Sequence, residues 1–227
     1  MIIQSPTPKL EESLNFYKKL NFSEVELNDE KYVTDGKALI KINTSRYARP
    51  GILLYHQDWS EVIEEAKSLV PVYEKNGDSI LADSTGSWIY LLSGDSPSFS
   101  PQENCYSTLG NFAGMSLETI SMSQSQKLWE LFGFKVGMGG PDEGWMTMND
   151  ENNNSISFMH PNACPHLFYN PSLTYFNGAN NPEVIQKIRD ADIPITEEIT
   201  FFNKNNEVDN VIIKDPGGLG FFIFNDG

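Results

Sequence analysis

Histidine and cysteine are scarce here, with three of the first and two of the second among 227 residues. Two cysteines cannot build a disulfide framework. Neither lies in a Cys-x-x-Cys pair or beside a histidine–carboxylate pattern, so a thiolate nucleophile has no support. Positive charge is also short: 16 Lys and Arg stand against 31 Asp and Glu, a formal charge of −15. The only close basic residues, Lys18–Lys19 and Arg46 with Arg49, are too few for a phosphate track, which excludes nucleic acid as a general partner. No run approaches the roughly 18 apolar residues of a spanning helix, so no membrane partner is expected. Met1-Ile2-Ile3-Gln4 has neither a basic nor an apolar leader region, and the expectation is a cytoplasmic protein with an acidic, solvated surface. No Gly-x-Ser-x-Gly elbow appears, and Gly137-Met-Gly139-Gly140 misses the dinucleotide spacing with no helix after it, so it reads as a twisted hairpin turn.

What the chain does have is an internal duplication. Phe16-Tyr17 and Leu20-Asn21-Phe22 align with Leu128-Trp129 and Phe132-Gly133-Phe134 at an offset of 112. Tyr32-Val33-Thr34 meets Trp145-Met146-Thr147 at 113, and Ile40-Lys41-Ile42 meets Ile156-Ser157-Phe158 at 116. Glu61-Val62-Ile63 meets Glu183-Val184-Ile185 at 122, and Asp83 with Gly86 to Tyr90 meets Asp215 with Gly218 to Phe222 at 132. The offset only grows, as loop insertions into a second copy would require. The chain therefore divides into residues 1–95, a Ser/Pro-rich linker at 96–110, and residues 111–227.

Each half alternates helical and strand periodicity. Leu10, Leu14, Tyr17 and Leu20 mark one helix, with Pro8 in its first turn. Asp58-x-x-Glu61 and Ser123-x-x-Gln126 read as capping boxes of two more, the former ahead of Val62, Ile63, Ala66, Leu69 and Val70. Asn181-Pro182 opens a fourth. Between them lie β-rich runs at Ser23–Leu27, Tyr32–Thr34, Ala38–Ile42, Ile52–His56, Ser79–Ala82 and Trp88–Leu92. The second half repeats the pattern at Met115–Ile120, Phe134–Val136, Trp145–Met148, Ile156–Met159, Leu173–Phe176, Val211–Lys214 and Phe221–Phe224. Turn signals such as Asp35-Gly36 and Asp215-Pro-Gly-Gly218 separate them. Each half holds two strand–helix–three-strand units, and the fold class is α+β with four βαβββ units.

Two stretches resemble a known superfamily. Leu10-Glu-Glu-Ser13-Leu-Asn-Phe16-Tyr17-Lys-Lys-Leu20-Asn21-Phe22, and Asp215-Pro216-Gly217-Gly218 leading into Phe221-Phe222-Ile223, are similar to the first helix and terminal hairpin of the vicinal-oxygen-chelate fold. That superfamily includes glyoxalase I, bleomycin-resistance proteins and type I extradiol dioxygenases. The resemblance implies two tandem cup-shaped glyoxalase-like domains, as a monomer or homodimer. In metal-dependent relatives histidines and glutamates converge on one divalent ion. The corresponding positions here are Ile2, Lys41, Ile52 and Tyr90, then Gly114, Ser157, a residue near Ser172, and Phe222. None is a ligand, and a register slip exposing Gln4, His56 or Glu118 still forms no set of three. No metal and no other cofactor is expected.

Other chemistry is thin. His160-Pro-Asn-Ala-Cys164-Pro-His166 reads as a polar loop between strands, and His56 as a strand-end histidine. The pairs Glu11–Glu12, Glu64–Glu65 and Glu197–Glu198 read as solvated surface. What remains is the lining of the cups, since alternate strand residues share a face. The first cup would present Gln4, Lys41, Asn43, Leu54, His56, Trp88 and Tyr90; the second Ser116, Glu118, Ser157, Met159, Phe222 and Phe224. Simple core packing weighs more against the second cup than the first. The leading expectation is a metal-free protein binding a small organic ligand in an aromatic-lined cup. The alternative is a lyase- or dioxygenase-like enzyme acting on a small carbonyl or aromatic substrate, with Lys41, Tyr90 or Glu118 as acid–base groups. A scaffold docking through strand edges comes third.

Overall fold

The structure is a computed structural model describing residues 1–227. The first half runs β1 (Ile2–Pro6), α1 (Leu10–Lys19), β2 (Ser23–Leu27), β3 (Glu30–Thr34), β4 (Leu39–Asn43), β5 (Gly51–His56), α2 (Ser60–Ala66), β6 (Val72–Lys75), β7 (Asp78–Ala82) and β8 (Trp88–Ser93). The second runs β9 (Phe112–Glu118), α3 (Met122–Leu131), β10 (Lys135–Gly140), β11 (Trp145–Asn149), β12 (Ser155–Met159), β13 (Ser172–Phe176), α4 (Asn181–Asp190), β14 (Ile195–Ile199), β15 (Asn210–Lys214) and β16 (Gly220–Phe224). Each half forms one eight-stranded sheet, ordered β2-β3-β4-β1-β5-β8-β7-β6 and β10-β11-β12-β9-β13-β16-β15-β14. The two βαβββ units of a sheet meet where their first strands pair antiparallel, β1 with β5 and β9 with β13. No helix is long and apolar enough to cross a membrane.

Several local expectations need correction. Both helices read as capping boxes lack a side-chain cap. Asp58 instead closes an Asx turn onto the backbone of Ser60 at 2.9 Å, so α2 starts later and ends before Leu69 and Val70. Thr119 plays the corresponding part ahead of α3, accepting from the backbone of Ser121. Pro8 precedes α1 rather than opening it. Gly137 to Gly140 belong to β10, whose register slips between Val136 and Met138. The turn is made instead by Pro141–Glu143 with Gly144 at φ 79°. A side chain at Gly139 would strike the Trp145 carbonyl, so a bulged edge strand explains this glycine run. Strands β6 and β14 had no legible signal: both are edge strands, β6 mostly exposed and β14 with only Ile199 buried. Glu198 there pairs with Arg189 at 2.7 Å.

The helices and one face of both sheets share a single core. Leu14, Phe16 and Tyr17 of α1, Leu128 and Trp129 of α3, and Ile185 and Ile188 of α4 are buried in it with Ile40, Ile52, Phe158 and Phe221. Tyr17 and Trp129, equivalent in the duplication, each point a polar atom at a buried carboxylate of the opposite half. Trp129 Nε1 donates to Asp83 at 3.0 Å, and Tyr17 Oη donates to Asp215 at 2.8 Å. Asp83 and Asp215 are equivalent positions too, so the exchange is reciprocal. Ser5 adds a 2.5 Å donor to Asp215, and Tyr175 donates to Asp35 at 2.6 Å across the same seam. The later part of the connection between the sheets is also tied down, Thr108 N donating to the Leu20 carbonyl and Tyr106 Oη to that of Thr34.

Burial raises the Asp83 and Asp215 carboxyls above their usual range, opposed by their hydrogen-bond donors, and drives the Tyr17 phenol well above its own. A carboxyl raised on folding contributes stability below its unfolded value near 3.9, and loses it as the pH climbs through the folded value. In urea unfolding, Asp215→Ala should lose about 2–4 kcal/mol, because the Ser5 and Tyr17 hydroxyls lose their acceptor. For Asp215→Asn the deficit should shrink as the pH rises from about 4 toward neutrality.

Candidate functional site

The concave faces of the two sheets are the cups. In the first, Gln4, Lys41, Asn43, Trp88 and Tyr90 face inward, as the alternation predicts. Leu54 and His56 do not. Leu53 lies opposite Ile2, so β5 presents Gly51, Leu53 and Tyr55 to the cup and turns Ile52 and Leu54 into the helix-side core. His56 stands at the strand end, 5.3 Å from the Trp59 ring, with Nδ1 2.6 Å from the Asp58 carbonyl.

The inward residues of this cup largely satisfy one another. Ile2, Tyr32, Leu39 and Leu53 form a buried cluster with Val25, Leu27, Tyr55, Tyr90, Leu92 and Phe99 packed on it. Lys41 reaches Glu30 at 2.5 Å, and Gln4 bonds the Arg49 carbonyl at 2.9 Å and Asn43 at 2.6 Å. Burial raises the Tyr90 phenol. Trp88 is 44% exposed at the rim. The cup expected to be the more open is the filled one.

The second cup holds a cavity of about 700 Å³. Its floor is hydroxyl: Ser116 and Thr174 lie 2.7 Å apart, Thr147 and Ser157 3.0 Å apart. Each pair consumes one proton internally and keeps another to donate. The walls are Met138, Trp145, Met159, Phe176, Phe222 and Phe224. Phe222 and Phe224 stack 5.5 Å apart on alternate residues of β16. Ser116, Ser157 and Phe222 are among the residues lining the cavity. Glu118 is not: it accepts from the backbone of Asn162 at 3.0 Å and pins the loop leaving β12.

That loop is more than a polar connection. It folds over the cup, placing Cys164, His166 and Phe168 in the cavity wall. The His166 ring stacks on Phe168 and meets Phe222 and Phe224 edge-on at 5.3 and 5.2 Å. Cys164 Sγ sits 3.3 Å from Met159 Sδ. Thr147 and Thr174 were legible from strand alternation once the register was known. The loop residues were not, because nothing local dictates where a twelve-residue connection folds.

A metal of the kind used by extradiol enzymes needs two histidines and a carboxylate on one face of the ion. The inward positions of β9, β13 and β16 carry Gly114, Ser116, Ser172, Thr174 and Phe222, which offer hydroxyls and a phenyl ring instead. No three His, Cys, Asp or Glu side chains converge anywhere in the chain. The residues do not fit such a centre.

Two cups of two βαβββ units each, joined through their helix-side faces, have the architecture of the vicinal-oxygen-chelate fold, and comparisons with solved structures agree in fold. The chain is similar to the 2,3-dioxygenase LapB of Pseudomonas sp. KL28, with TM-score 0.58, 13% identity, and 100% of this chain and 91% of that one covered. It is equally similar to homoprotocatechuate 2,3-dioxygenase of Brevibacterium fuscum, solved with 3,4-dihydroxyphenylacetate, at TM-score 0.59 and 13% identity over 99% of this chain and 79% of that one. The enzyme of Arthrobacter globiformis gives 0.58 and 12% over 97% and 78%. At this identity the likeness establishes the fold. No family model matches the sequence, and no curated protein does.

The surroundings of both cysteines disfavour the thiolate form. Burial and the neighbouring Asp35 carboxylate push Cys105 up to about 11, and burial with Glu118 raises Cys164. Alkylation of Cys105 by iodoacetamide, followed by mass spectrometry, should keep accelerating with pH to about 11 rather than levelling near the ordinary thiol value of about 8.5.

Proposed function

We propose that this protein binds a flat, largely apolar small molecule in its second cup, held by aromatic walls and oriented by the floor hydroxyls. The carrying observation is the cavity itself, whose volume and pattern of apolar walls with a few polar groups suit a small-molecule site. The floor itself is hydroxyl, which favours an uncharged ligand face there, while Glu143 and His160 stand in the wall and suit a polar edge of the ligand. Trp145, 42% exposed in the wall, supplies an optical probe. Titration with 1-naphthol should quench its fluorescence, and Trp145→Phe should abolish the change. Replacing Ser116 with Ala and Thr174 with Val together should weaken binding about tenfold, as loss of roughly one hydrogen bond implies. Unchanged affinity in that variant would remove the floor from the reading.

The second reading is an enzyme of the dioxygenase kind, favoured by the fold likeness over nearly the whole chain. It is tested by elemental analysis after dialysis against iron and manganese, with oxygen uptake measured on 3,4-dihydroxyphenylacetate. One retained equivalent with turnover would establish it and displace the binding reading. Neither retention nor uptake is expected, given the donor set of the cup.

A further inference from the structure

The filled first cup is closed by a piece of the chain that has little else to hold it. Residues 95–101, between β8 and the second half, make no backbone hydrogen bond; the nearest are Gly94 to His56 and Gln102 to Gly36. This strap is anchored by buried Pro97, by an Asp95–Gln57 contact at 2.5 Å, and by half-buried Phe99. Phe99 packs against the cup cluster of Ile2, Tyr32, Leu39 and Leu53. A segment with no backbone bonds of its own, held by two apolar side chains and one polar contact, opens at lower cost than a paired strand.

Behind the strap lies a cavity of about 650 Å³ at the seam of the two halves. Its walls include Ile2, Leu39 and Tyr55 of the cup, Phe99 of the strap, and Trp59 and Phe132 beyond. Phe99 therefore stands between an existing cavity and the interior of the cup. Swinging its ring outward would join the two and leave a ring-sized space among the inward tyrosines. Lys41 is neutralised by Glu30 at 2.5 Å, and the unpaired cation Lys37 belongs to the outer cavity, so the vacated space favours an uncharged ring. Aromatic walls favour a planar one.

We propose that the first cup is a second small-molecule site, for a planar uncharged aromatic ring, which the 95–101 strap keeps shut by seating Phe99 in the ring's place. This site is separate from the second cup, and its occupancy does not depend on what that cup does. The test is equilibrium dialysis against indole. At indole concentrations too low to displace Phe99, the Phe99→Ala chain should take up one more equivalent than the natural chain, whether the second cup contributes one or none, while Phe99→Trp should gain nothing. Equal uptake by Phe99→Ala and the natural chain would overturn the proposal. Should Phe99→Ala fail to fold, the natural chain suffices: a ring that displaces Phe99 exposes the strap. Thermolysin cleavage at Ser98–Phe99, mapped by mass spectrometry, should then run several times faster with saturating indole, and an unchanged rate would overturn the proposal equally.

Discussion

The rest of the molecule depends on a reciprocal exchange of buried carboxylates. Asp83 of the first half holds Trp129 of the second, and Asp215 of the second holds Tyr17 of the first. A carboxylate taken out of water is costly unless its oxygens are well supplied with donors. These are: the turn backbones cap each one locally, and the aromatic donors arrive from the other half. The exchange fixes which faces of the sheets meet. The helix-side faces are spent on joining the halves, and only the concave faces remain for a ligand.

The two concave faces have then diverged by side chain rather than by backbone. Four βαβββ units give each half the same strand order. In the first cup bulky inward residues, Tyr32, Leu53 and Tyr90, meet an ion pair and a strap residue, and little space is left. In the second, the corresponding middle rows carry Gly114, Ser116, Ser157 and Thr174, whose small side chains leave the centre open. The likeness to dioxygenases describes the backbone. The cavity floor carries hydroxyls and a phenyl ring, and no three His, Cys, Asp or Glu side chains converge as such enzymes need.

Much of the architecture was legible in the sequence, for a definite reason. Helix spacing at Leu10, Leu14 and Tyr17, strand alternation, and the growing offset between copies are all local signals repeated often enough to reinforce one another. The site was legible only in part. Ser116, Ser157 and Phe222 followed from alternation, but one residue of slip on β5 turned Leu54 and His56 to the wrong face, since a strand reverses sides at every residue. The capping boxes misled because their motifs occurred without the geometry: the Asx turn at Asp58 competes for the same backbone donors.

The sequence by itself determined four βαβββ units in two copies, because hydrophobic period and turn chemistry act over a few residues and survive without knowledge of the partner. Only the tertiary structure decided which cup is open. That depends on how far Tyr32 and Tyr90 reach across a curved sheet, where Phe99 lands after a strap without backbone bonds, and how the loop carrying Cys164, His166 and Phe168 folds back over its own sheet. Such distances are set by the closure of sixteen strands on one shared core, and no window of sequence contains them.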